Sequence, residues 1–215
     1  SRQRGQQGEY ANSHEQDRVR ALQYAERAYK AGANPAEKSN AVQAWQGLIL
    51  QNRTYQQSWR LQILTDMKNL PEIERAYRHN SQTRGAPMTE AGDPLFYEVP
   101  ASYEVANNDG ERWRWLLHER VKINPAMKTA VDRQLASFLQ QQFSVRTLQS
   151  FSWYHRMAND DSENKQGIMQ IHTLEDTETI ARLANTVKRF DLPDSQNFIK
   201  IYQQLWESGD AYAAD

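Results

Sequence analysis

Residues 84–121 read RGAPMTEAGDPLFYEVPASYEVANNDGERWRWLLHERV, and the rest of the chain is read outward from them. Most of the strand and turn chemistry lies here, while the segments on either side carry helical patterning. Pro87 and Pro94 flank Thr89-Glu90-Ala91-Gly92-Asp93. Gly92 can take the positive φ of a tight turn, and Asp93 suits a turn position. Met88 on one side and Leu95, Phe96 and Tyr97 on the other predict a small β-hairpin near residues 86–97. Two strands alone are marginal in water, so this hairpin must rest on something. Beyond Pro100, Ser102 to Ala106 reads as a single helical turn, broken by Asn107-Asn108-Asp109-Gly110. Asp109 then caps a helix with Trp113, Leu116, Leu117 and Val121 on one face. Trp115 falls off that face and needs a second neighbour, for which the hairpin is the candidate.

Composition bounds the function classes. The chain has 215 residues, with 26 basic and 27 acidic side chains and a net charge of −1. That balance gives no electrostatic case for nucleic acid or an anionic membrane. Apolar content is 39% and mean hydropathy is −0.90, which fits a helical assembly with much exposed surface. Six Trp, ten Tyr and six Phe supply large buriable surfaces and argue against disorder. Cysteine is absent, which excludes disulfides, thiolate metal sites and a cysteine nucleophile. No run approaches the apolar length that spans a bilayer, so no direct membrane insertion is expected. The chain starts at Ser1 without Met and shows no signal peptide, so it is read as a fragment of a longer protein.

Taken in order, residues 1–11 are rich in Gln, Arg and Gly and read as a flexible tail. A helical region is expected over residues 12–83. Ser13 starts its first helix with Gln16 completing a capping box, Val19, Leu22 and Tyr29 face inward, and Gly32 ends it. Asn34-Pro35 with Glu37 opens a second helix carrying Val42, Trp45, Leu48 and Ile49. The short loop makes this pair antiparallel. Thr54 caps a third helix with Trp59, Ile63, Met67 and Leu70 on one face, ended by Pro71. After the hairpin-containing insert at 84–108, a second helical region covers 109–158. There Asn124-Pro125 repeats the start signal ahead of Met127, Val131, Leu135, Phe138 and Leu139, and Val145, Leu148 and Phe151 suggest a further short helix. Residues 159–172 read as a loop. Residues 173–209 read as a helix hairpin: Ile180, Leu183, Ala184, Val187 and Phe190, a turn at Asp191–Asp194, then Phe198, Ile201, Tyr202 and Leu205 before Gly209. The fold class expected is therefore all-α in the main. Antiparallel helix pairs would stack as a TPR-like repeat or solenoid in a single elongated domain.

Chemistry-bearing motifs are scarce. No Walker-type loop, GxGxxG, HExxH, EF-hand loop or GxSxG elbow occurs. The five histidines, His14, His79, His118, His155 and His172, are scattered, and none pairs at i, i+4. His155 near Asp160 and Asp161 reads as a solvated loop before it reads as a metal site. Asp66, Glu72, Glu74, Asp109 and Glu111 are carboxylates that a glycosidase would need in pairs, but caps and helix-end charges explain them. Arg112, Arg114 and Arg120 interleave with Trp113 and Trp115. Such an array could hold a phosphorylated ligand or stack on a base; the preferred reading is arginines fanning outward from buried tryptophans. No catalytic, cofactor-binding or metal-ligating residue is assigned.

Several segments, in order, resemble the N-terminal helical region of large bacterial alpha-2-macroglobulin-like proteins: SHEQDRVRALQYAERA, SWRLQILTDMKNLP, GAPMTEAGDPLFYEVP, NNDGERWRWLL, LASFLQQQFSVRTLQ and TLEDTETIARLANTVKRFDLPDSQNFIKIYQQL. The similarity covers nearly the whole chain. It implies a periplasmic or secreted parent that traps proteases, with this piece as a helical scaffold ahead of the macroglobulin β-domains. The family's thioester needs a C-x-E-Q arrangement, which a chain without cysteine cannot supply. The residues themselves leave a cytoplasmic location open. The function expected is a non-catalytic helical scaffold whose partner is protein, either neighbouring domains or a separate chain. Trp206, Tyr55 and Tyr10 are the candidate contact residues. The alternative is an enzyme or small-ligand-binding domain with its site between the hairpin and the Trp113 helix.

Overall fold

The computed structural model describes residues 2–4, 10–51, 53, 55–75, 83–151, 167–168 and 170–210. Over these residues the protein is mainly helical, with small antiparallel β-elements. The chain divides into two compact units. The first takes Ser1–Gln51, Ile63–Gln82 and Tyr97–Pro125; the second takes Asn52–Gln62, Thr83–Phe96 and Ala126–Asp215. The chain passes between them repeatedly, so no linker in the sequence marks the division.

In the first unit, α1 (His14–Ala31) and α2 (Pro35–Leu50) pack on each other, and α2 also packs on α3 (Asp109–Ile123). Val19, Leu22, Val42, Trp45, Ile49, Trp113, Leu116 and Leu117 form the core. Asn34 caps α2 as expected, its side chain accepting from the Glu37 amide at 3.0 Å. The capping box at Ser13 does not form. Ser13 donates instead to Asp17, and the Gln16 amide reaches the Pro71 carbonyl at 2.8 Å. β1 (Arg2–Arg4) pairs antiparallel with β2 (Tyr10–Asn12), and β2 with β3 (Glu74–Arg75). Strand pairing uses backbone groups, which a polar sequence supplies as well as an apolar one.

The third helix expected over Thr54 to Leu70 is replaced by a 3₁₀ helix at Tyr55–Gln62 and then irregular chain; Thr54 itself lies outside the described residues. Ile63, Leu64 and Leu70 are exposed in consequence. Side chains take the backbone groups that a helix would use. A helical Thr65 N–H would bond the Leu61 carbonyl, but it donates to Asp109 Oδ1 at 3.0 Å. The Lys68 and Asn69 amides donate to Asp66 Oδ1 at 2.7 and 3.2 Å. The expected helical turn at Ser102–Ala106 is likewise irregular.

In the second unit, α4 (Lys128–Phe143) packs on α5 (Phe198–Glu207) and on a β-hairpin. That hairpin corrects the helix expected over residues 180–190. β4 (Glu178–Arg182) and β5 (Val187–Asp191) are antiparallel, with Thr179, Ile180 and Ala181 buried. The chain reverses at Leu183–Thr186, where the Leu183 amide bonds the Thr186 carbonyl at 2.8 Å. Two short strands folded back at Asn185 mimic a helical spacing of apolar residues. The Thr177, Thr179, Ile180, Thr186 and Val187 content was the strand signal. Only the second half of the expected helix pair is helical: Asn197 caps α5, and Gly209 follows at φ +86°.

The turn at Thr89–Asp93 forms, with one antiparallel bridge between Met88 and Pro94 and Gly92 at φ +86°. It rests on the β4 end of the sheet. Ala86 forms a parallel bridge with Leu183, donating to the Arg182 carbonyl and accepting from the Ala184 amide, both at 2.9 Å. Gly85 is held at φ +132° beside this bridge, where a Cβ would meet the Leu183 oxygen at 2.5 Å. The Gly85 carbonyl accepts from Ser58 Oγ and the Trp59 amide, each at 3.0 Å. Phe96, Phe143 and Phe190 cluster with centroids 5.1–6.2 Å apart.

Trp113 is fully buried, whereas Trp59, also expected in the core, is half-buried with its Nε1 donating to the Thr83 carbonyl. Trp113→Ala is therefore expected to cost about 3–5 kcal/mol in urea unfolding, the range for large core aromatics. Trp59→Ala should cost clearly less, and equal losses would contradict this assignment of the buried faces.

Candidate functional site

The densest chemistry of the described residues lies in the first unit, at the start of α3. Asn108 is the N-cap, accepting from the Glu111 amide at 2.8 Å, while Glu111 reaches back to the Asn107 amide at 2.7 Å. Asp109, expected to be the cap, is instead the first helical residue and is 1% exposed. Its carboxylate is surrounded by donors. Oδ1 accepts from the Thr65 amide at 3.0 Å and Arg112 Nη1 at 3.2 Å. Oδ2 accepts from the Thr65 hydroxyl, with Arg18 Nη1 at 3.9 Å. Arg18 also donates to Thr65 Oγ1 at 2.7 Å and to Glu15 at 3.0 Å, and Arg112 donates to the Thr65 carbonyl at 2.7 Å. Two guanidiniums thus meet two carboxylates, and each polar group of Thr65 is bonded. The Asp109 carboxylate thus spends three hydrogen bonds, on both oxygens, in holding Thr65 and Arg112.

Four aromatic rings adjoin this cluster. Trp45 and Tyr103 lie 4.3 Å apart between centroids, Tyr103 and Trp115 6.0 Å, Trp115 and Tyr29 6.2 Å, and Tyr29 and Trp45 6.2 Å. Trp45 Nε1 donates to the Tyr103 hydroxyl at 3.2 Å, and the Arg112 guanidinium lies 4.8 Å from the Tyr103 ring centroid. Trp115 thus finds its second neighbour in Tyr29 and Tyr103, where the hairpin was expected. The Tyr29 hydroxyl donates to Glu119 Oε1 at 2.6 Å. Burial, with Glu119 alongside, raises the Tyr29 pKa to about 12. Burial also holds the Tyr103 phenol well above its usual range.

The carboxylates considered for paired catalysis are dispersed in their duties. Asp66 is lowered by its bonds to Asn69 and Lys68, Asp109 sits in the arginine cluster, and Glu111 closes a cap. Glu72 is exposed, and the Glu74 side chain lies outside the described residues. The arginines do not fan outward: Arg112 and Arg114 are buried and Arg120 is half-buried. Arg18 and Thr65 were missed in the sequence. Arg18 had a signal, since it falls on the Val19–Leu22–Ala25 side of α1; Thr65 had none. His155, Asp160 and Asp161 lie outside the described residues. Among the described residues no group of three or more His, Cys, Asp or Glu could hold a metal ion, and no helix is long and apolar enough to cross a membrane.

Of the candidate contact residues, Trp206 is 59% exposed on α5. Tyr10 opens β2 and Tyr55 opens the 3₁₀ helix, and their side chains lie outside the described residues. No family model, characterised protein or solved structure matches the chain.

Asp109→Ala would strand two buried guanidiniums, and breaking such a cluster typically costs about 3–5 kcal/mol. Urea unfolding is expected to give a loss in that range; one below about 1 kcal/mol would contradict the cluster's role. The raised Tyr29 pKa sets a second expectation. The fold favours the neutral phenol, so this contribution is complete below pH 10 and is lost as pH rises toward 12. Melting temperature should fall across that window, and Tyr29→Phe should make the fall shallower.

Proposed function

We propose that this chain is a non-catalytic helical scaffold and protein-interaction module of a larger bacterial alpha-2-macroglobulin-like, protease-trapping protein, periplasmic or secreted. Its helix pairs would stack in a TPR-like manner, and its partners would be neighbouring domains or a protein chain. The observation that carries the reading is the use made of Asp109. The most concentrated polar chemistry among the described residues ties an irregular segment to two helices, with both carboxylate oxygens taken. Trp206 supports the interaction half of the reading, since an exposed tryptophan is a usual anchor at protein interfaces. The family assignment rests on the ordered segments quoted above.

Two experiments test this. A thermal-shift screen against divalent metals and common nucleotides should leave the melting temperature unchanged; stoichiometric zinc, or a turnover abolished by one substitution, would overturn the scaffold reading. For the parent, the flanking sequence should encode β-rich domains and a downstream C-x-E-Q. Extending the chain by the following helix pair should shield Trp206 and blue-shift its fluorescence relative to a Trp206→Phe control. An unchanged signal would count against stacking at this end.

A further inference from the structure

The last turn of α5 closes on a charged residue. Gly209, at φ +86°, donates its amide to the Trp206 carbonyl at 2.9 Å, and the Asp210 amide donates to the Leu205 carbonyl at 3.0 Å. In this glycine-ended closure the residue after the glycine frequently adds an apolar contact to the helix. Here that residue is Asp210, which is 9% exposed. Burying a carboxylate is unfavourable unless it is paired. Arg133 of α4 supplies the pair, with Nε on Oδ2 at 3.0 Å and Nη2 on Oδ1 and Oδ2 at 2.7 and 2.6 Å. An apolar residue would close the turn unconditionally. An aspartate closes it only while the guanidinium is in place, because removing one partner strands a buried charge.

The turn so closed carries Trp206. The Trp206 carbonyl is itself one of the two closing acceptors, and the Ser208 hydroxyl adds a bond to the Leu205 carbonyl at 2.7 Å. Leu205 is buried, and Tyr202, one turn earlier, is hydrogen-bonded to Ser137 of α4. The backbone on either side of Trp206 is therefore tied to α4, while the indole stays exposed. A helical side chain leans back over the preceding turn, where Gln203 is also exposed. One turn beyond, Gly209 has no side chain to cover the ring.

We propose that the Arg133–Asp210 pair is a latch that presets Trp206 for protein contact. Latched, the last turn of α5 holds the indole in one orientation, so a partner's pocket receives an ordered side chain and little conformational entropy is lost on binding. Unlatched, the turn frays and the indole samples many orientations. Arg133 is thus a positioning residue that acts through Asp210. The proposal rests on the reading of Trp206 as a contact residue.

The test uses the whole chain labelled with 5-fluorotryptophan, with the Trp206 fluorine resonance assigned by its loss in Trp206→Phe. Arg133→Met and Asp210→Asn should each move that resonance toward the position of free 5-fluorotryptophan and narrow it, while the Trp45 and Trp113 resonances stay in place. Asp210→Leu supplies the apolar contact that the aspartate replaces, so adding it to Arg133→Met should return the Trp206 resonance to its wild-type position. Should Arg133→Met fail to fold, Arg133→Lys, with one ammonium in place of the fork, should give a partial shift. A pair that only stabilises the fold would lower the melting temperature and leave the Trp206 resonance unmoved. That result, or no rescue by Asp210→Leu, would overturn the proposal. The latch is read without a partner, and the contact is read in the chain extended by the following helix pair. A Trp206 signal that answers the latch variants but is unchanged by the extension supports the latch and removes the contact.

Discussion

The first unit depends on a single constraint: the Asp109 carboxylate holds Thr65 by both its amide and its hydroxyl. Thr65 is remote in sequence, so this contact closes a long loop and must outweigh the entropy of doing so. It succeeds because the donors are several and two of the groups nearby carry positive charge. The same contact removes the Thr65 N–H from any helix, which fixes residues 63–73 as irregular chain. The α1 glutamines then bind that chain by its carbonyls, Gln16 at Pro71 and Gln23 at Met67. One buried carboxylate therefore links an α1 side chain to α3 and sets the shape of the segment bonded to both.

Much of this was legible in the sequence where the cue was local. Asn34-Pro35, the α3 stripe of Trp113, Leu116 and Leu117, the Gly92 turn and the Phe198–Leu205 helix all follow from caps, spacing and turn residues. The failures share a cause. Residues 180–190 have apolar positions that satisfy a helical period, but the period is produced by two strands reversing at Asn185. Burial of β4 depends on α4 and the 3₁₀ helix at Val145–Phe151, through Thr179 to the Phe143 carbonyl and the Arg182 amide to Thr147. Those partners lie some thirty-five positions away, beyond any window of local pattern. The helix expected through Thr65 failed for the same reason, since its competitor was Asp109.

The candidate site was half legible. Paired carboxylates and interleaved Arg and Trp were visible as residue types, but their duties were not. Asp66 and Glu111 serve the backbone beside them, as their positions near turns and helix starts imply. Asp109 serves a distant segment, which nothing local announces. Arg18 was the one distant partner with a sequence cue, a charged residue on an apolar face.

Arg112 and Arg114 of α3 show how helix phase assigns different surroundings to identical side chains. At 100° per residue, Arg112, Trp115 and Glu119 share one side, which is the side facing Tyr29, Trp45 and Tyr103. Arg112 therefore enters the polar cluster and lies over the Tyr103 ring. Trp113 and Leu117 occupy another side and are buried without charge. Arg114 falls beyond them, in line with Gly110, where the Tyr97 ring lies against the helix. A helix buried on most of its circumference is ordinarily apolar all round. This one carries Asp109, Arg112, Arg114 and Glu119 among its buried residues, so its burial is tolerable only to the extent that each charge is answered. Asp109, Arg112 and Glu119 are answered from within the unit by hydrogen bonds, and Glu98 is the charge that acts on Arg114.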